Sequence, residues 1–393
     1  MPTVELTAAT TLPADGLAGA LVGRVWRPDV GGPSVVVAAR DGALVDVTAA
    51  FATTRDLIES PDPASAARAA PGERLGAIDE VLANTPPDRR DSRQPWLIAP
   101  IDLQAIKAAG VTFAASLIER VIEERARGER AAAEAIRADF ARRVGAELAS
   151  IKPGSPAAER LKQTLVDAGL WSQYLEVGIG PDAEIFTKSQ PMSAVGTGAD
   201  AGFLAASAWN NPEPEIVLAV NSRGAIVGAT LGNDVNLRDF EGRSALLLGK
   251  AKDQNASCAI GPFLRLFDAT FTLDDVRGAE VALRVEGDDG FALEGGSSMA
   301  AISRDPAELV RQLFDAGRQY PDGAALFLGT MFAPVADRDA PGKGFAHKPG
   351  DVVTVSADKL GRLVNRMRHS QDCPPWDFGV GALMRNLAQR GLI

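Results

Sequence analysis

The chain has 393 residues, 46% of them hydrophobic, so it can bury at least one large core and is long enough for two or three domains. A formal net charge of -10 without a block of basic residues argues against binding to nucleic acid or to an anionic membrane. Two histidines and two cysteines nearly exclude a histidine-rich zinc site, a Ser-His-Asp triad and a disulfide framework. The N-terminus lacks a signal-peptide pattern, and no run approaches ~18 apolar residues, so we expect a cytoplasmic protein.

Residues 1–94 are predicted to form a small β-rich N-terminal domain. Asp41-Gly42, between two apolar runs, is a strong signal for a hairpin. A Pro-rich, polar segment ends this region, and we place the start of the main domain, residues 95–393, after it. Short elements are expected in the N-terminal region: strands at 22–26, 34–40 and 43–47, and helices at 51–59 and 74–82.

The main domain reads as short strands with Gly and Asp turns, with helices gathered in a few places. This pattern is typical of an α+β fold on a mainly antiparallel sheet. Helices are predicted at 114–151, with a break at Gly128, and at 155–167, 305–317 and 381–391. Strands are predicted at 216–220, 225–230, 281–285, 325–329 and 352–355.

Three carboxylates at the centre of the chain predict a metal site. Glu213 and Glu215 are two residues apart at the head of a strand, so their side chains project from the same face. A turn at 221–224 and a second strand lead to Asp234, and a hairpin of this length can bring it beside the glutamates. Converging carboxylates repel one another unless a cation lies among them, and oxygen ligands favour Mg²⁺, with Mn²⁺ or Ca²⁺ as alternatives. A solvated edge strand with scattered acids is the competing interpretation.

The same stretch resembles the fumarylacetoacetate hydrolase superfamily. The matching motifs are Glu213-Pro-Glu215, Asn233-Asp234, Leu237-Arg238-Asp239, Lys252 nine residues before Gly261-Pro262, and, further on, Gly329-Thr330. The resemblance covers roughly residues 95–393 and implies a mixed β-roll with a flattened barrel and the active site at its mouth. It also implies a divalent metal, usually Mg²⁺, on the three carboxylates, a 2-oxo acid as substrate, and a homodimer or homotetramer.

One departure from the family pattern bears on the reaction. Hydrolytic members carry Gly-x-Asn-Tyr-x-x-His-x-x-Glu near the lid of the active site, whereas this chain has Ser116 in place of the histidine and keeps Glu119. A serine hydroxyl without a partner is no general base near neutral pH, so elimination of water is favoured over hydrolysis. The chain resembles the branch that dehydrates 2-keto-3-deoxypentonates, from D-xylonate or D-arabinonate, to 2-oxoglutarate semialdehyde. A 2,4-dioxo acid hydrolase or oxaloacetate decarboxylase, and a non-catalytic sugar-acid-binding protein, are the alternatives.

Individual roles follow from this resemblance. Beside the cation and partly desolvated, Lys252 is predicted to have a lowered pKa and to take the C3 proton or stabilise the enediolate, with an exposed surface lysine as the alternative. Glu119 is predicted to protonate the departing C4 hydroxyl, with a helix-surface glutamate as the alternative. Four further residues are predicted to bind the substrate through hydroxyl or backbone N–H groups: Thr112, Ser116, Gly329 and Thr330.

Overall fold

The computed structural model describes residues 3–130, 132–133, 136, 151–167, 169–332, 334, 336–340 and 344–393. Within them the strands are β1 (Ala20–Arg27), β2 (Gly32–Ala38), β3 (Ala43–Asp46), β4 (Glu73–Ala77), β5 (Trp96–Ile98), β6 (Ala105–Ala109), β7 (Ile185–Ser189), β8 (Asp200–Phe203), β9 (Asn210–Asn211), β10 (Pro214–Val220), β11 (Ile226–Asp234), β12 (Asn236–Leu237), β13 (Cys258–Leu266), β14 (Glu280–Glu286), β15 (Ala292–Ser298), β16 (Ala324–Phe327), β17 (Val352–Ala357) and β18 (Gly361–His369). The α-helices are α1 (Ala8–Thr11), α2 (Thr54–Ile58), α3 (Pro63–Ala69), α4 (Ile78–Ala83), α5 (Ala114–Arg125), α6 (Pro156–Asp167), α7 (Gln173–Ile179), α8 (Arg238–Glu241), α9 (Leu248–Lys252), α10 (Leu273–Arg277), α11 (Pro306–Leu313) and α12 (Val380–Gln389).

Three sheets organise the described part of the chain. The largest has 11 strands in the order β4-β3-β2-β1-β13-β11-β10-β16-β6-β7, with β5 paired to β1. A sheet of 5 strands has the order β15-β14-β17-β18-β8, and β9 and β12 form a two-stranded ribbon. Most neighbours are antiparallel, while β6 with β16 and β8 with β18 are parallel. The predicted α+β class is confirmed, and the large sheet is open among the described residues, ending at β4 and β7.

Strand β1 joins the N-terminal region to the main sheet. It pairs with β2 on one side and with β13 on the other, where Ala20 lies opposite Leu266. Its faces enter two core clusters, since Leu21 and Val25 pack in one and Val22 in the other. A strand that is apolar on both faces is suited to the interior of a sheet. The division into domains at residues 94 and 95 stays a prediction.

The N-terminal predictions are confirmed except in one segment. The predicted strands 22–26, 34–40 and 43–47 are present, and the hairpin turn places Gly42 at φ +85°. The first half of the helix predicted at 74–82 is wrong, because Glu73–Ala77 pairs as β4 with β3 and satisfies the backbone groups of that strand. The helix begins only at Ile78.

In the main domain the predicted helices at 155–167, 305–317 and 381–391 are present with shorter bounds. The side chain of Asp305 accepts a hydrogen bond from the backbone N–H of Ala307, which starts α11 as its N-cap. The helix predicted at 114–151 begins as α5, and residues 137–150 of that prediction lie outside the described residues. No described helix combines the length and the apolar character required to cross a bilayer.

Candidate active site

The hairpin of β10 and β11 carries the three predicted carboxylates. Both strands are interior strands of the large sheet, and Glu215 lies opposite Gly232. The backbone N–H of Asp234 donates to the carbonyl oxygen of Glu213 at 3.0 Å, so these two residues also face each other. Apolar residues on alternating positions of the hairpin turn to the opposite face and enter the main core: Ile216, Leu218, Leu231 and Val235.

The three side chains converge as predicted. One carboxylate oxygen from each of Glu213, Glu215 and Asp234 lies within 4.8 Å of the others, and each residue is only 1% exposed. The competing interpretation, a solvated edge strand with scattered acids, is therefore wrong.

Burial and mutual repulsion act on Glu215. Burial, together with the charges of Asp234 and Glu213, holds the pKa of Glu215 well above its ordinary value. One carboxylate oxygen accepts a hydrogen bond from the backbone N–H of Gly329 at 2.7 Å, and the other accepts from the Thr330 hydroxyl at 3.1 Å. These two predicted substrate-binding residues therefore hold a carboxylate of the protein in this structure.

Lys252 lies among the carboxylates at the end of α9. Its ammonium group donates to Glu213 and, at 2.9 Å, to Oδ2 of Asp234. The residue is 2% exposed, so the alternative of an exposed surface lysine is wrong. Burial lowers the pKa of Lys252, but the charges of Asp234, Glu213 and Glu241 outweigh burial and raise it. The lowering of this pKa, which is predicted for a lysine beside a bound cation, stays a prediction.

Two cations that the sequence analysis missed also contact the carboxylates. Lys188 of β7 is fully buried and forms an ion pair with Oδ1 of Asp234 at 2.9 Å. Arg120 of α5 contacts Glu213. Burial raises the pKa of Glu213, but the charges of Lys252 and Arg120 outweigh burial and lower it to about 2. No local motif marks either cation, because each reaches its partner across a long stretch of chain.

Helix α5 covers the hairpin through a buried network of charges. Arg120 also pairs with Glu123 at 2.6 Å and with Glu241 at 3.2 Å. Arg238, at the start of α8, binds Glu119 at 2.7 Å and Glu123 at 2.6 Å. The alternative of Glu119 as a helix-surface residue is therefore wrong, since its side chain is 12% exposed and paired with a buried guanidinium.

The hydroxyl groups predicted to bind substrate are engaged with the backbone. Ser116 donates to the carbonyl of Phe113 at 2.9 Å, and Thr112 donates to the carbonyl of Leu328 at 2.6 Å. Both residues are buried. Their role in substrate binding stays a prediction.

Glu184 is a further titratable group near the carboxylates. It directly precedes β7, and its carboxylate lies over Gly110, where an added Cβ would be 1.9 Å from Oε2. Burial raises the pKa of Glu184, against the charges of Arg120 and Lys252. A carboxyl group with a raised pKa is suited to donating a proton near neutral pH. The sequence analysis missed it because an acid before a strand usually faces solvent.

The residues present fit a divalent cation. Three buried carboxylates supply hard oxygen donors from two rigid strands, which is the donor set that Mg²⁺ prefers. A divalent cation would offset both the burial and the neighbouring negative charges that raise the pKa of Glu215.

Comparisons with known proteins agree with this site. A family model described as fumarylacetoacetate (FAA) hydrolase C-terminal matches residues 211–368, which include the three carboxylates and Lys252. A protein of Haloferax volcanii named probable 2-keto-3-deoxyxylonate dehydratase is 27% identical over 336 residues, covering 86% of this chain and 96% of that protein. The 2-dehydro-3-deoxy-D-arabinonate dehydratase of Saccharolobus solfataricus is 29% identical over 188 residues, covering 47% of this chain and 58% of that protein.

Solved structures show the same fold. The apo form of 2-keto-3-deoxy-D-arabinonate dehydratase superposes with a TM-score of 0.62 at 19% identity, covering 89% of this chain and 99% of that chain. A structure of 2-keto-3-deoxy-D-arabinonate dehydratase complexed with magnesium and 2,5-dioxopentanoate gives 0.60 at 19% identity over the same shares. The predicted fold is thereby confirmed.

Proposed function

We propose that the chain belongs to the fumarylacetoacetate hydrolase family and is a Mg²⁺-dependent hydro-lyase acting on a 2-keto-3-deoxypentonate. The products are 2,5-dioxopentanoate, which is 2-oxoglutarate semialdehyde, and water. The observation that carries the proposal is the buried cluster of Glu213, Glu215 and Asp234 beside Lys252. The names of the two curated relatives support the dehydratase branch.

The lid residue Ser116 supports elimination over hydrolysis. Hydrolysis requires a base that activates water. The hydroxyl of Ser116 is a poor base and donates a hydrogen bond to the backbone carbonyl of Phe113. Elimination needs no water. A proton leaves C3 and the hydroxyl leaves C4 as water, which forms a C3–C4 double bond. A proton then moves from C5 to C3, which shifts the double bond to C4–C5 and leaves an enol. Transfer of the enol O–H proton to C4 gives the aldehyde at C5.

We propose that two residues move protons during this reaction. We assign removal of the C3 proton to Lys252, whose ammonium group lies directly on the carboxylates. We further propose that Glu184 donates to the departing C4 hydroxyl, because it lies close enough to Lys252, Glu213 and Asp234 to feel their charges, and burial raises its pKa. When bound, a divalent cation supplies a Lewis acid for the C2 keto group and offsets the negative charge that keeps the proton on Lys252.

Glu119, which the sequence predicts to be the general acid, stays an alternative for this role. Its side chain is paired with the buried guanidinium of Arg238 at 2.7 Å. The network that contains Glu119 also fastens α5 over the hairpin. The three carboxylates are buried, and Arg120 of this helix contacts Glu213.

Turnover of the keto acid tests the proposal. The purified protein is supplied with 2-keto-3-deoxy-D-xylonate or 2-keto-3-deoxy-D-arabinonate and Mg²⁺, and the semialdehyde is measured with and without EDTA. We expect product only with the metal. Acylpyruvate and oxaloacetate serve as parallel substrates, and turnover of either one alone would assign a hydrolase or a decarboxylase instead.

Replacement of one ligand tests the metal site directly. Glu215→Gln keeps an oxygen that accepts from Gly329 but removes the charge, so Mg²⁺ binding and turnover should be lost while the fold survives. Glu159→Gln, on the exposed face of α6, is the matched control and should bind Mg²⁺ normally. Calorimetric titration with Mg²⁺ reports binding independently of turnover. The cytoplasmic location and the homodimeric or homotetrameric state stay predictions, the latter measurable by light scattering.

A further inference from the structure

The two chain segments of the β10–β11 hairpin stay paired beyond the three carboxylates. We call this series of residues paired across the hairpin the ladder. The ribbon of β9 and β12 places Asn236 opposite Asn211 in the same register that places Asp234 opposite Glu213. Alternate residues of a strand share a face, so the two asparagines lie on the carboxylate face, one step further along. Val235, between Asp234 and Asn236, belongs to the main core on the other face.

The end of the ladder confirms this orientation. One step beyond the asparagines, the guanidinium of Arg238 lies 4.4 Å from the ring centre of Trp209, as expected for cross-strand neighbours. Arg238 is bound by Glu119 and Glu123 of α5, and Arg120 of the same helix contacts Glu213. Helix α5 therefore contacts the ladder on both sides of the two asparagines.

These asparagines have unused hydrogen-bonding groups. Both are fully buried, and neither Nδ2 nor Oδ1 of Asn236 has a partner among the described residues. Asn211 donates from Nδ2 to the carbonyl of Pro212 at 2.8 Å, while its Oδ1 has no partner. Buried polar groups are normally satisfied, and a group left unsatisfied costs ~1–3 kcal/mol. Two such amides side by side point to a polar ligand that is absent from the substrate-free protein.

We propose that Asn211 and Asn236 form the subsite for the C5 hydroxyl of the keto-acid substrate, an assignment that rests on the proposed function. A hydroxyl group both donates and accepts hydrogen bonds. The unused amide groups of the two asparagines include one acceptor and one donor, whichever way the amide of Asn236 is flipped. The subsite thus makes the enzyme specific for keto acids with a terminal hydroxyl.

The spacing of the ladder suits this substrate. Successive residues on one face of a strand are about 7 Å apart. The C5 oxygen lies four bonds from the C2 keto carbon, or about 5 Å at ~1.5 Å a bond with staggering. A hydrogen bond adds ~2.8 Å. A keto acid held by its C1 and C2 oxygens at the carboxylates therefore reaches the asparagines with its C5 hydroxyl.

Two keto acids that cannot be dehydrated test the subsite by binding alone. 5-Hydroxy-2-oxopentanoate and 2-oxopentanoate differ only in the C5 hydroxyl, and neither has a C4 hydroxyl to lose. With saturating Mg²⁺, we expect the wild type to bind the hydroxylated acid about 10-fold to 100-fold more tightly. Asn236→Leu keeps the size of the side chain and should reduce this ratio to about 1, with little change for 2-oxopentanoate. Calorimetry measures both dissociation constants.

The controls separate this proposal from the proposed function. Asn386→Leu, in α12, replaces another buried asparagine outside the ladder and should keep the wild-type ratio. If Asn236→Leu does not fold, as judged by circular dichroism, Asn211→Leu is measured in its place. Equal binding of both acids by the wild type, or an unchanged ratio in the folded variant, overturns the subsite while the function stands. Failure of both acids to bind in the presence of Mg²⁺ overturns the proposed function itself.

Discussion

Glu241 should make the metal-free protein less stable as pH rises, and Glu241→Gln should remove that loss. The residue ends α8 with 4% of its surface exposed, and its Oε2 lies 3.2 Å from Nη1 of Arg120 without the geometry of a hydrogen bond. Burial raises the pKa of Glu241 to about 7, even though the charges of Arg120 and Lys252 oppose burial. The group thus stays protonated in the folded protein at pH values where an exposed glutamate is ionised.

The sign and the size of this change in stability follow from the protonation of Glu241 in the folded and the unfolded states. Between the ordinary pKa of 4.5 and about 7, the folded protein keeps a proton that the unfolded chain has lost. The unfolded state binds fewer protons in this interval, so the free energy of unfolding falls as pH rises. A difference between 4.5 and about 7 corresponds to about 3 kcal/mol. The contribution is complete below pH 4.5 and lost above about pH 7.

Urea unfolding at several pH values between 4.5 and 8, in EDTA, measures this contribution. Over that interval the wild type should lose about 3 kcal/mol more than Glu241→Gln, because glutamine does not titrate. Other carboxylates change stability in both proteins alike and cancel in the difference. Glu159→Gln, an exposed substitution of the same kind on α6, should follow the wild type. Parallel pH curves for the wild type and Glu241→Gln would refute the reasoning.

Three further predictions concern proton donation, the backbone and the ladder. Glu184→Gln should lower kcat by about 10²-fold to 10⁴-fold and remove the alkaline limb of the pH–rate profile, since an amide has no proton to give; a persisting limb would belong to another group. Gly329→Ala should lower the melting temperature more than Gly224→Ala, because both glycines have positive φ but only at the first would a Cβ meet a threonine hydroxyl, at 2.0 Å; equal losses would argue against this contact. In the metal-free protein, Asn236→Leu should leave the urea midpoint unchanged or higher, whereas Asn365→Leu should cost ~1–3 kcal/mol because two carbonyls lose their donor; a large loss for Asn236→Leu would indicate a partner for its amide.

The metal centre was predictable because its information is local. Glu213 and Glu215 share a face through the two-residue period of a strand, and a short hairpin returns the chain to Asp234. The helix predicted at 74–82 failed in its first half for the opposite reason. Residues 73–77 pair with the backbone of β3, and composition does not reveal this partner. The strand pairing outweighs the helix propensity of these residues.

The register of one hairpin contains more information than the sequence analysis used. Once Glu213 is placed opposite Asp234, the same register places Asn211 opposite Asn236 and brings Trp209 against Arg238. The ladder was thus within reach of the sequence. The position of α5 over the hairpin could not be predicted from the sequence. Arg120 and Glu213 are 93 residues apart in the chain, and only the packed structure brings α5 onto the hairpin. The proposed specificity subsite therefore lies on a ladder that is local in sequence, whereas the helix that contacts Glu213 is far from it in sequence.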